Sequence, residues 1–239
     1  MNYLFAILIL GAVILIHEAG HFLFARLSDV PVKRFSIGFG PKLLGFRKRE
    51  TEFILSAVPV GGYVMPAIED EKDFFGIPIG KRLLFTIGGP LVNILASVLI
   101  LSILNTLQSG FSLRGFFLLP LFHTADLLGQ IILGFASLFT QPQQLTGAVG
   151  IVSAGSEFIE AGIVSALTFG LIINLNLAVL NLLPLPPLDG GKILLYLLEK
   201  IDRRLVKLHI PVAVTGWLLL IGLVIYSTYA DIGRLMGAA

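Results

Sequence analysis

The sequence predicts an α-helical polytopic membrane protein. It reads as four transmembrane helices, a β-hairpin after the first and a peripheral helix before the third. Three observations lead there. Of the 239 residues, 56% are hydrophobic and only 13% charged, against about 25% charged in a soluble domain, and the mean hydropathy is +0.92. Four segments approach the ~20 apolar residues that cross a bilayer. Fifteen of the seventeen Lys and Arg residues fall in two of the connecting loops, a bias that orients membrane proteins.

The first span covers about Tyr3 to Leu27. It has no basic segment before it and no small-residue cleavage site after it, so it reads as a retained helix. The second covers about Leu83 to Leu107, the third Ile163 to Leu183 and the fourth Val212 to Tyr229. A fifth apolar region, Gly115 to Thr140, is interrupted by Pro120, His123, Asp126 and Gln130, and is expected to lie on the surface as an amphipathic helix. The basic residues Arg26 to Arg82 follow the first span, and Lys192 to Lys207 follow the third. If both loops are cytoplasmic, both termini are outside. A fifth span would put those loops on opposite sides.

Between the first two spans, Glu52 to Met65 is apolar but short, β-branched and broken by Pro59, Gly61 and Gly62. That pattern predicts strands joined as a hairpin. The acidic residues Glu69, Asp70, Glu71 and Asp73 read as a solvated loop. Repeats, linkers and low-complexity tracts are absent from the sequence, so residues 1–239 read as one membrane-embedded domain. With no cysteine, neither a disulfide nor a thiolate ligand is available. A net charge of +2 gives no reason to expect a nucleic-acid partner.

The chemistry-bearing residues lie inside the first span. His17-Glu18-Ala19-Gly20-His21 places two imidazoles one helical turn apart on one face. That spacing suits one Zn²⁺, with Glu18 beside them as a general base. Ionisable residues within a span are costly and mark function by default. A catalytic zinc site usually takes three protein ligands and a water. His123 and His209 are the only other histidines, and both suit ordinary interfacial roles. Asp189 is the stronger candidate, in Asn181-Leu-Leu-Pro-Leu-Pro-Pro-Leu-Asp189-Gly-Gly. Its prolines end the preceding helix and its glycines allow a turn. Asn174 and Asn176 are expected to bond between helices, and Gly88-Gly89-Pro90 to permit close helix packing.

Together these two motifs resemble the site-2 protease family of intramembrane zinc metalloproteases. Arg34-Phe-Ser-Ile-Gly-Phe-Gly-Pro41, Pro59-Val-Gly-Gly-Tyr-Val64, Gly88-Gly-Pro-Leu-Val-Asn93, Leu145-Thr-Gly-Ala-Val-Gly-Ile151 and Asn174 to Asn181 are similar to its bacterial regulator-of-sigma-E branch. The resemblance implies one Zn²⁺ held by His17, His21 and Asp189, with Glu18 as catalytic base. It implies a re-entrant β-hairpin whose edge strand pairs with substrate, expected at Phe53, Ile54, Leu55, Ser56 and Ala57 or at the strand paired with them, with Gly61 and Gly62 at the turn. It also implies that Asn181 holds the substrate backbone. The substrate would be the transmembrane segment of a single-pass protein or a membrane-embedded remnant, cleaved in the bacterial cytoplasmic membrane near its inner face. One departure stands out: the branch carries PDZ domains between its second and third spans, and Gln108 to Gly162 is too short and apolar for one. The competing expectation is a zinc transporter or another non-proteolytic zinc protein, but the second and fourth spans offer few ligands for a transport path.

Overall fold

A computed structural model describes residues 1–67, 71–138 and 146–237. Its elements are α1 (Asn2–Leu27), β1 (Val32–Lys48), β2 (Thr51–Pro66), α2 (Glu71–Gly76), α3 (Ile79–Ser109), α4 (Leu119–Leu138), α5 (Ala148–Glu160), α6 (Ile163–Leu182), α7 (Asp189–Ile201) and α8 (His209–Leu235). A π-helical turn at Arg114–Leu118 leads into α4, and a 3₁₀ turn at Arg203–Leu208 leads into α8.

Local chemistry accounts for the boundaries. The α1 sequence is apolar and free of proline until Pro31, and Asp29 beyond its end takes a left-handed φ of 52°. α3 stops at Gly110, with φ 78°, and α5 stops before Gly162, with φ 107°; glycine reaches such angles without steric cost. α6 ends where Pro184, Pro186 and Pro187 begin. α5 begins at Gly147, which has no side chain to cap it. Asp231 of α8 caps it instead, accepting from the amides of Gly147 (3.1 Å) and Gly150 (2.8 Å) while Arg234 pairs with the same carboxylate at 2.6 Å.

The chain forms two compact units. Residues 1–10, 94–179 and 215–239 make one, and 11–93 and 180–214 make the other. In the first, Leu101 and Leu104 of α3 pack with Leu171 and Leu175 of α6, flanked by Leu127, Leu128 and Ile131 of α4. Asn174 there donates to Ser97 at 2.9 Å, the interhelical bond expected of it. Asn176 instead bonds Ile172 O on its own helix. Small residues bring helices together in the same unit: a Cβ on Gly155 of α5 would strike Phe169 and Ala6. In the second unit, Ala25, Val30 and Val32 form a core with Phe22, Val64, Ile77 and Phe85.

β1 and β2 pair antiparallel, but not as a simple ladder. Arg49, at φ 56°, makes the tight turn between them. Gly45, Phe46 and Arg47 face Ile54, Phe53 and Glu52 across it. Arg34, Phe35, Ser36 and Ile37 face Met65, Val64, Tyr63 and Gly62 on one side and Glu52, Phe53, Ile54 and Leu55 on the other. The bends fall at Gly38, Gly40 and Gly61, all with positive φ. A sheet of this kind has two outer edges, Gly45–Lys48 and Gly62–Met65. Of the two strands that could offer an edge, Phe53, Ile54 and Leu55 have partners on both sides, because β1, unassigned from sequence, supplies strand on each flank, and Gly62–Met65 lies outermost.

Among the described residues, five helical segments are long and apolar enough to cross a membrane, including Arg114–Phe135, which the sequence assigned to the surface. A second helix, α5, follows it. Of the acidic cluster, Glu71 and Asp73 sit on α2, and Glu69 and Asp70 lie outside the described residues, as do the end of the fifth apolar region and Leu145.

Candidate metal centre

His17 and His21 stand on one face of α1, as their spacing requires. Asp189 is the first residue of α7. All three side chains are buried, at 5%, 7% and 3% exposure. His17 Nε2, His21 Nε2 and Asp189 Oδ2 converge, each 3.1 Å from the other two. Ligand atoms of a tetrahedral zinc site with bonds of about 2.0–2.1 Å would stand about 3.3 Å apart, so this donor set matches a single zinc ion in chemistry and in spacing. It is the one group of three metal-ligating His, Asp or Glu side chains among the described residues.

The surroundings orient these side chains. His21 Nδ1 lies 3.0 Å from the carbonyl oxygen of Phe85 on α3. A carbonyl only accepts, so Nδ1 carries the proton and Nε2 keeps its lone pair toward the centre. His17 Nδ1 is buried with no hydrogen-bond partner among the described residues. Gly89, one turn beyond Phe85, is where α3 opens onto the site. A Cβ there would sit 2.5 Å from His21 Nε2 and 2.8 Å from His17 Nε2. The Gly88-Gly89 pair was expected to serve packing alone. Gly88 does so, since its Cβ would meet Phe24 and Gly20 O, but Gly89 also makes room beside the converging Nε2 atoms of His17 and His21.

Asp189 is delivered by the turn after α6. A Cβ on Gly190 would collide with the carbonyls of Leu182 and Leu183, and one on Gly191 with Leu185 and Pro186. Only glycines let the first turn of α7 lie against that backbone. Burial alone pushes the Asp189 carboxyl up, but its bonds to His17 and His21 and the charge of Lys192 outweigh it. They hold the group well below the usual carboxylate range. Lys192 Nζ donates to Asp189 Oδ1 at 2.9 Å.

Glu18 is half-buried and stands outside the three-atom cluster. Its side chain runs beneath the outer strand of the sheet, where a Cβ on Gly62 would lie 3.2 Å from Glu18 Cγ. Asn181 is half-buried in the last turn of α6. Ile54 and Ser56 point inward, and Ser56 Oγ bonds Ser36 Oγ at 2.9 Å. Phe53 is partly buried and stacks on Phe46, whereas Leu55 and Ala57 are exposed. Gly61 holds φ 98°, with no room for a Cβ against the Phe39 ring. His123 is exposed on α4. His209 is buried, 3.8 Å from Glu199. Sequence reasoning missed Phe85, whose contribution is a backbone carbonyl and carries no sequence signal. It also missed Lys192, which the i, i+3 spacing from Asp189 could have shown.

The profile of peptidase family M50 matches residues 5–225. The chain belongs to peptidase family M50. Relatives agree with that placement. A Clostridium perfringens protein is 26% identical over 332 positions, covering 97% of this chain and 98% of its own length. A Campylobacter jejuni protein is 26% identical over 349 positions, covering 99% and 95%. A Thermotoga maritima protein is 45% identical over 125 residues, covering 48% of this chain and only 25% of its own length. All three are provisionally named zinc metalloproteases. In the strongest matches the chain spans about a quarter to a third of the relative's length. The longer alignments exceed the 239 residues here, so those M50 relatives carry extra residues within the matched region.

Proposed function

We propose that this chain is an intramembrane zinc endopeptidase that cleaves a transmembrane segment of single-pass proteins or membrane-embedded remnants. The observation that carries the proposal is the convergence of His17 Nε2, His21 Nε2 and Asp189 Oδ2 at 3.1 Å, with Glu18 adjacent in sequence and outside the cluster. His17, His21 and Asp189 would hold the ion. Bound there, zinc supplies Lewis acidity toward a scissile carbonyl and lowers the pKa of water. Glu18 takes the proton of the attacking water and passes it to the leaving amine. The Phe85 carbonyl keeps His21 in one tautomer and one orientation throughout. Asn181, eight residues before Asp189, is placed in sequence to hold the substrate backbone or donate to the developing oxyanion. A single three-ligand group among the described residues also suits hydrolysis better than transport, which needs further ligands along a path.

A transmembrane helix hides its peptide bonds by satisfying every amide internally, so cleavage requires local unwinding. The outer strand Gly62–Met65 has Ser36 and its neighbours on one side and no strand partner on the other among the described residues. It passes over Glu18. Added there as a strand, an unwound substrate would regain its backbone bonds while presenting a carbonyl to the centre. Gly61 and Gly62 thus remain in the substrate-binding assignment, and Tyr63, Val64 and Met65 take the place of Phe53 to Ala57.

Four spans are proposed: α1, α3, α6 and α8. The basic loops then share the cytoplasmic side with the site, and both termini are outside. No segment between α3 and α6 is long enough for a PDZ domain, which fits the extra length of the relatives. The test is zinc-dependent cleavage of a candidate transmembrane segment by the purified protein, with Glu18→Gln as control. The variant is expected to bind zinc and cleave nothing. Unaltered turnover would remove Glu18 from the mechanism.

A further inference from the structure

Asp189 divides its two oxygens between two kinds of partner. Oδ2 faces the histidine nitrogens, and Oδ1 accepts from Lys192 Nζ at 2.9 Å. The arrangement is built into one turn of α7. Asp189 and Lys192 are three residues apart and so share a face, and the Lys192 amide bonds Leu188 O. Gly190 and Gly191 between them press against the preceding backbone, which fixes the start of the helix and the direction of both side chains. The Lys192 side chain is half exposed while that of Asp189 is 5% exposed. The ammonium therefore reaches inward to a carboxylate that solvent scarcely touches.

A free carboxylate can bind a metal through one oxygen or through both. Binding through both would take up the position that a three-ligand catalytic site keeps for water. We propose that Lys192 is a positioning residue: by occupying Oδ1 it restricts Asp189 to ligation through Oδ2 alone and so preserves the open coordination position. This rests on the reading of His17, His21 and Asp189 as metal ligands. A lysine suits the task because its ammonium is a compact donor with no accepting atom, so it engages the carboxylate without competing for the ion. Outer partners of this type typically contribute 10–100-fold in metal affinity or activity.

The experiment loads the full-length protein in detergent with Co²⁺, whose visible absorption is stronger in four-coordinate than in five-coordinate sites, and measures Co²⁺ affinity by chelator competition. Wild type, Lys192→Gln, Lys192→Arg and Asp189→Ala are compared. Lys192→Gln should still bind one ion, tenfold or more weakly, with a changed absorption: shifted where the second carboxylate oxygen displaces the water, weakened where it joins the water at five-coordination. Lys192→Arg, which keeps the cation, should restore the wild-type spectrum. An unchanged spectrum in Lys192→Gln overturns the inference, whether affinity holds or falls, because charge balance would then be the whole role. A changed spectrum that Lys192→Arg does not restore overturns it too. Asp189→Ala separates the two levels: if it still binds Co²⁺ as wild type does, the ligand assignment itself fails, whereas its loss of Co²⁺ beside an unaltered Lys192→Gln spectrum rejects only the role of Lys192.

Discussion

Phe85 and Gly89 stand one turn apart on α3 and act on the same histidine: the carbonyl of Phe85 receives His21 Nδ1 at 3.0 Å, and the missing side chain of Gly89 leaves space beside His21 Nε2. One helix thereby holds the ring from behind and stays clear of it in front. Gly89→Ala should accordingly lower zinc affinity at least tenfold, since a methyl would sit 2.5 Å from His21 Nε2 and 2.7 Å from His17 Cε1. Stability should fall by about 1–3 kcal/mol, as overpacking usually costs. Chelator competition and thermal unfolding in detergent measure both. Normal zinc binding by the variant would mean that the rings have slack to move.

Asp189→Ala should leave the purified protein with much less than one zinc per chain, because it removes one ligand of three. Chelation of wild type should abolish cleavage, and added zinc should restore it. Metal analysis decides the first point and a reconstituted assay the second. Stoichiometric, tightly held zinc in the variant would assign the third ligand elsewhere.

Arg82 and Glu199 form a buried bidentate pair, at 2.8 and 2.7 Å, that ties α3 to α7. The guanidinium also donates to Ile77 O and lies over Phe74, Phe75 and Tyr196. Arg82→Met strands a buried carboxylate and should cost about 3–5 kcal/mol. The double variant Arg82→Met, Glu199→Leu should recover most of it, because no charge is then left unpaired. Thermal or denaturant unfolding of the three proteins gives the comparison. Equal instability of single and double variants would show that the pair's geometry matters beyond its charge.

Substrate held on the outer strand depends on backbone bonds. Proline at Tyr63, Val64 or Met65, tested one at a time, should abolish cleavage at one or more positions with zinc content unchanged, since proline removes a donor and bends the strand. Proline at Leu44 or Phe46, on the opposite edge, should be milder. Full activity in all three outer-strand variants would place substrate elsewhere.

Single cysteines are informative in a chain that has none. Introduced at Lys48 and Arg203 they should label from the cytoplasmic side, and at Asp126 from the other. Labelling of Lys48 and Arg203 from opposite sides would make α4 a crossing helix.

How far these features were legible depended on range. The His17–His21 face follows from helical periodicity, and the arrest of α6 follows from three prolines. Asn174 was read as an interhelical residue because a polar amide in an apolar helix needs a partner. By contrast, β1 went unassigned. Its stretch mixes Lys, Arg and Gly with apolar residues and lacks the alternation that marks a strand. Without it, which of the two hairpin strands lies outermost stayed open.

The sequence by itself determined that the chain is apolar and helical, that two histidines share one face of its first helix, and that Asp189 is available as a third donor, through oxygen. These are consequences of composition and of the 3.6-residue period, which act within a few residues. Only the tertiary structure decided that Asp189 meets both histidines at 3.1 Å, that Phe85 sets the tautomer of His21, that Lys192 takes the second carboxylate oxygen and that Gly62–Met65 is an outer strand. Each of these depends on packing between residues distant in sequence, or on which way a backbone carbonyl and a carboxylate oxygen point. Side-chain periodicity along one segment carries neither kind of information.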